Sequence, residues 1–131
     1  MLDTKRLLQV NAVRNISVVY TLCITFLLLF PATNVPKIDV PSFDKIGHVF
    51  MFTLLVVLWT LFVWSKGKKR GMKIWFVLFC AFIYGIIIET IQGLFLETRT
   101  ADVWDLVANS VGILLGWLIS LWIKKVFALK N

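Results

Sequence analysis

The chain has 131 residues, of which 60% are hydrophobic and 16% charged, with a formal net charge of +7. With a mean hydropathy of +0.88, this excludes a soluble globular domain and leaves room for a single membrane-embedded domain. The positive charge does not point to nucleic acid, because the Lys and Arg residues lie in short tails and connections beside apolar runs.

Four apolar runs are long enough to cross roughly 30 Å of hydrocarbon at about 1.5 Å per residue: Ile16–Thr33, Ile46–Ser65, Met72–Leu96 and Asp102–Ile123. None alternates with the two-residue period of a barrel strand, so helices are predicted. The first run follows Lys5, Arg6 and Arg14, a pattern shared with secretory signal peptides. The stretch after it, Pro31-Ala32-Thr33-Asn34, lacks a small-x-small cleavage site, which favours a retained helix. Pro31, Pro36 and Pro41 stiffen the connection Asn34–Phe43. Asp44 is placed to N-cap the second helix. The turns at Lys66–Gly71 and Glu97–Ala101 are short, which makes the second, third and fourth helices antiparallel neighbours. The predicted architecture is all-α, an integral membrane four-helix bundle forming one domain over residues 1–131.

Orientation follows from the basic residues. With both termini cytoplasmic, eleven of the fourteen Lys and Arg residues fall on the inner side, leaving Lys37, Lys45 and Arg99 outside with six of the seven carboxylates. This implies a multi-pass membrane protein with both termini on the cytoplasmic side. Trp59, Trp64, Trp75, Trp104 and Trp122 are read as interfacial anchors, and Cys23 and Cys80 as packing residues, since neither has a zinc or redox spacing.

The polar residues then share faces at the outer ends. At about 100° per residue, Asp44 and His48 project from one side of the second helix, Glu89 and Gln92 from one side of the third, and Asp102, Asp105 and Asn109 from one side of the fourth. Ionisable groups beside lipid are costly unless paired, hydrated or used. An outward-facing polar pocket roofed by the Arg99 loop is therefore predicted. Ala108, Gly112, Gly116 and Ser120 recur every four residues, a small-residue ribbon expected to pack the fourth helix on the third and compatible also with a homodimer.

The ordered set Asp44-Lys45-x-x-His48, Glu89-x-x-Gln92, Arg99 and Asp105-x-x-x-Asn109-x-x-Gly112-x-x-x-Gly116 resembles the VanZ-like family over roughly residues 44 to 116, with Phe52 as a weaker aromatic match. That resemblance implies a small bacterial membrane protein with a link to teicoplanin-type lipoglycopeptide resistance.

Three function classes follow for Asp44, Lys45, His48, Glu89, Gln92, Arg99, Asp102, Asp105 and Asn109. The first is a binding site for a lipid or glycolipid head group of the cell envelope, in which Lys45 and Arg99 suit a phosphate and the partners are membrane lipids or a lipid-linked envelope component. The second is a membrane hydrolase or transferase with Glu89, Asp105 or His48 as catalytic candidates. No resident cofactor or metal is called for by any motif, but Mg²⁺ or Mn²⁺ would fit one histidine among several carboxylates if the chemistry is enzymatic. The third is a purely stabilising network in which each carboxylate is neutralised by a neighbour. A transporter is disfavoured by the lack of a repeat or of polar groups through the inner half.

Overall fold

The computed structural model describes residues 4–30, 43–66, 71–96 and 102–128. They form four helices, α1 (Thr4–Leu29), α2 (Phe43–Ser65), α3 (Gly71–Phe95) and α4 (Val103–Ala128), with no strand among the described residues. Each contains an apolar span of at least 21 residues, or roughly 32 Å at about 1.5 Å per residue, enough to cross a bilayer. The bundle is the all-α membrane architecture that the composition implies.

Its boundaries differ from the apolar runs in instructive ways. The helix α1 starts about three turns before Ile16, because the intervening residues include the good helix formers Lys5, Arg6, Leu7, Leu8 and Gln9 and no Pro or Gly. It stops at Leu29, short of Thr33, since Pro31 cannot continue the backbone hydrogen bonding. Asp44 lies inside the first turn of α2 instead of capping it, where a carboxylate still meets the partial positive charge of the helix end. The cap found at a helix start belongs to Asp102, whose Oδ1 accepts the Trp104 N–H at 2.9 Å while its carbonyl accepts the Asp105 N–H at 3.0 Å.

Burial is inverted relative to a water-soluble protein. Leu22 is 64% exposed and Phe26 65%, and Phe50, Ile87 and Leu114 also face outward, whereas Ser17, His48, Thr60, Glu89, Gln92, Asp105, Asn109 and Ser120 are buried. Only an apolar solvent makes that arrangement favourable. The interior apolar cluster joins Ile24 and Leu28 of α1, Phe52, Leu55 and Val56 of α2, Ala81 and Ile88 of α3, and Ile113 of α4. Cys23 and Cys80 are exposed on this outer surface, not packed in the interior as expected.

Helix α2 is central: it touches all three others, most extensively α4, while α1 does not reach α4. The small-residue ribbon explains the intimacy of the α2–α4 contact. A Cβ at Gly112 would lie 2.5 Å from the Val49 carbonyl oxygen, and one at Gly116 would lie 2.6 Å from that of Thr53. Any side chain there collides with backbone, so glycine is required by proximity. The ribbon thus receives α2, correcting the expectation that it would receive α3. On α3, Gly85 makes the close approach instead, 3.3 Å from both the Asn109 amide nitrogen and the Phe52 ring when a Cβ is built.

Polar contacts fasten α1 to α2 and α3. Tyr20 donates to the Met51 carbonyl at 3.0 Å, the Trp59 indole N–H donates to Thr21 Oγ1 at 3.1 Å, and the Thr25 and Tyr84 hydroxyls meet at 2.8 Å. Trp59 is therefore a helix-packing residue and not an interfacial anchor, in contrast to Trp75, Trp104 and Trp122, which are exposed.

Candidate functional site

The described polar residues converge at the end of the bundle where α2 and α4 begin and α3 finishes. Lys45 Nζ lies 2.9 Å from Asp102 Oδ2 and 3.5 Å from Asp105 Oδ1, tying the start of α2 to the start of α4. The hydrogen bond from Lys45 and the one from the Trp104 N–H hold the Asp102 carboxyl below the ordinary aspartate range. One turn deeper, His48 Nδ1 is 2.8 Å from Asn109 Oδ1 and 3.7 Å from Glu89 Oε1. Three helices contribute to this inner group, each through a side chain on the face that the 3.6-residue repeat had indicated.

Two acceptors flank His48 Nδ1, the Asn109 carbonyl oxygen and the Glu89 carboxylate, so the proton belongs on Nδ1. Nε2 is the ring atom left for another partner. Among the described residues it has none, and the same holds for both oxygens of Glu89 and the amide nitrogen of Asn109. His48 is fully buried and Glu89 is 7% exposed. Buried polar atoms are nearly always hydrogen-bonded, so His48 Nε2, which has neither a hydrogen bond nor an ionic contact among the described residues, marks the cluster as a place able to receive a further polar group.

Asp44, His48 and Asp105 also each present a ligand atom within 4.8 Å of the other two. Asp44 is exposed, whereas His48 and Asp105 are buried, so this group runs from the surface inward. Sequence spacing placed Asp44 and His48 one turn apart, but nothing in the spacing alone joined them to Asp105 across α4.

Gln92 behaves differently from its neighbours on α3. Its amide donates to the Leu28 carbonyl at 2.6 Å, satisfying one of the unpaired carbonyls at the end of α1. It links α1 to α3 beside the cluster. Arg99, Lys37, Asp39 and Glu97 lie outside the described residues. Of the ribbon, Ala108, Gly112, Gly116 and Ser120 are all buried in the bundle, and Ser120 returns its hydroxyl proton to the Gly116 carbonyl at 2.7 Å.

A cavity of about 490 Å³ lies elsewhere, in the opposite half between α2 and α3. Leu55, Phe62, Val77 and Ala81 line it, with Lys66 and Lys73 at its margin and no carboxylate or histidine. Its chemistry is that of a hydrocarbon groove. The described carboxylates and the histidine, able to transfer protons or ligate ions, are in the polar cluster.

The chain is similar to a known protein family and to a curated relative. The VanZ/LLP1 family profile matches residues 4–124. An uncharacterized protein of the fission yeast Schizosaccharomyces pombe is 33% identical over 90 residues, covering 69% of this chain and 54% of that protein. The chain thus spans about half the length of the curated relative it matches. No solved structure matches the chain significantly.

Proposed function

The chain belongs to the VanZ/LLP1 family, and from that premise we propose that it is a multi-pass membrane protein whose polar cluster binds the phosphate-bearing head group of a lipid or glycolipid. The observation that carries this reading is the set of buried polar atoms without protein partners among the described residues, on His48, Glu89 and Asn109. A cluster that served only to lock helices together would gain by satisfying its own atoms, since each unpaired buried group costs about 1–3 kcal/mol. A cluster that receives a ligand keeps valences for it.

The surroundings suit a head group. Lys45 is half-buried at the rim and supplies positive charge, and Asn109 offers a neutral donor deeper in. The whole group lies within a few turns of the helix ends, at the depth where lipid head groups meet hydrocarbon. Lys66, Lys73, Lys124 and Lys125 gather at the opposite end, which supports placing that end in the cytoplasm and the polar cluster on the outer side. A phospholipid is the simplest molecule to bring such a head group to that depth. An effect on teicoplanin susceptibility would then be a consequence of altered envelope lipid.

The test is binding of short-chain phosphatidylglycerol to the purified chain in detergent, followed by native mass spectrometry, with inorganic phosphate as the comparison. Retention of the lipid by the wild type and its loss in Lys45→Met and Glu89→Gln supports the reading. Equal retention by all three proteins refutes it, and saturation by inorganic phosphate alone reassigns the site to the free ion.

A further inference from the structure

We propose that Asp44, His48 and Asp105 form a site for a divalent transition cation of the Mn²⁺ class, held by two carboxylate oxygens and the His48 imidazole. Donor atoms on one cation with bonds of roughly 2.0–2.4 Å lie about 3–4.8 Å apart. The three ligand atoms lie within 4.8 Å of one another, so small rotations of the carboxylates suffice to close on an ion.

A second observation, independent of the carboxylates, points to the same ligand. His48 is fully buried with Nδ1 held by the Asn109 carbonyl oxygen at 2.8 Å, and its Nε2 has no partner among the described residues. Metal-bound histidines are arranged in this way: one ring nitrogen donates to an oxygen that fixes tautomer and orientation, and the other directs its lone pair at the ion. Glu89 Oε1, 3.7 Å from Nδ1, reinforces that polarity from α3. Asn109 and Glu89 are accordingly positioning residues.

Lys45 does not preclude the ion. Its shorter contact is with Asp102 at 2.9 Å, against 3.5 Å to Asp105 Oδ1, and the Asp105 carboxylate has a second oxygen to offer. Asp44 is exposed and provides the route from water. One nitrogen with two oxygens selects Mn²⁺ or Zn²⁺ over Ca²⁺, which prefers an all-oxygen shell. The role of the ion, though not its site, rests on the head-group reading: a bound cation reverses the local charge of a carboxylate-rich cluster and lets a phosphate oxygen complete the coordination shell.

The experiment uses the full chain in detergent, stripped with EDTA and titrated with Mn²⁺ alone, the free ion being followed by electron paramagnetic resonance. The expected result is one Mn²⁺ per chain, with nitrogen coupling in the spectrum of the bound ion. Asp44→Asn, at an exposed position, should weaken binding at least about tenfold while lowering the melting temperature only slightly through its lost contact with the helix end, and Asn109→Ala should weaken it about tenfold through loss of ring orientation. Binding that is undiminished in the Asp44→Asn/Asp105→Asn double variant, a spectrum without nitrogen coupling, or no stoichiometric binding by the wild type overturns the proposal. Phosphatidylglycerol binding in EDTA by a chain that takes up no Mn²⁺ removes the cation site and leaves the head-group reading standing. Mn²⁺ uptake without any lipid binding does the reverse.

Discussion

Helices α2 and α4 meet along one interface that has two characters. At Gly112 and Gly116 it is closed: backbone touches backbone, and the Thr53 hydroxyl lies 2.7 Å from the Val49 carbonyl and 3.1 Å from that of Gly112. Within about two turns, at His48 and Asn109, the same interface becomes open, with one hydrogen bond between the helices and buried atoms left over. The difference shows how a small membrane protein can divide its labour along a single helix pair. Tight packing at Gly112 and Gly116 supplies the adhesion, and that adhesion holds the polar cluster in place.

Gly112→Leu is the severest way to break the comparison. A Cβ alone at that position meets the Val49 carbonyl at 2.5 Å and the Phe52 Cβ at 2.9 Å, and neither contact is with the tip of a flexible chain. Even Gly112→Ala should cost about 1–3 kcal/mol as overpacking, and the leucine variant should fail to accumulate as a folded protein. Size-exclusion chromatography in detergent after a thermal ramp measures both. A Gly112→Ala chain that melts with the wild type would mean that the closed half does not supply the adhesion.

Glu89→Gln reverses the emphasis. Glu89 is buried and its Oε1 has only a long, 3.7 Å contact with His48 Nδ1, so removing the charge at constant shape relieves desolvation and gives up little in exchange. Stability should be unchanged or slightly raised, while phosphatidylglycerol retention falls. A Glu89→Gln chain that unfolds yet keeps full lipid retention in its folded fraction would make Glu89 a bundle lock and withdraw the binding role.

The two halves also differ in how far they could be read from the amino-acid order. Periodicity places Asp44 with His48 and Glu89 with Gln92, and the short turns make three helices neighbours, so the architecture and the gathering of polar faces follow from local rules. Which helix receives Gly112 does not. Small residues every four positions mark a close approach without naming the partner, and α2 rather than α3 fills the ribbon because Phe52 and Val56 complement it. Gln92 shares a face with Glu89, yet its amide is drawn to the Leu28 carbonyl, a partner 64 residues away that no spacing indicates. The early start of α1 was hidden because its first turns are polar and an apolar-run criterion ignores them.

A smaller effect is expected where α1 joins. Tyr20→Phe removes one hydroxyl that donates to the Met51 carbonyl at 3.0 Å and should lower stability by about 1 kcal/mol. Lipid retention should not change, because the bond lies on α1 and away from the cluster. Loss of retention in this variant would show that α1 docking and the open half are coupled.

The smallest effect sharpens the rim of the open half through pH. Asp102 has its carboxyl pulled below the ordinary aspartate value by the hydrogen bond from Lys45 and then by the Trp104 N–H. A carboxylate depressed in the folded state stabilises the fold above its unfolded pKa, about 3.9. That contribution disappears as pH falls through the lower folded value. The melting temperature of the wild type should therefore decline on acidification below about pH 4, and Asp102→Asn should flatten part of that decline while keeping the side chain able to cap α4. Because both partners are more than a third exposed, the difference should be slight and should shrink further in high salt, as expected for a solvated ion pair. A large, salt-insensitive change would mean instead that the Lys45–Asp102 contact belongs to the closed half of the interface, extending the region of tight adhesion to the very end of the bundle.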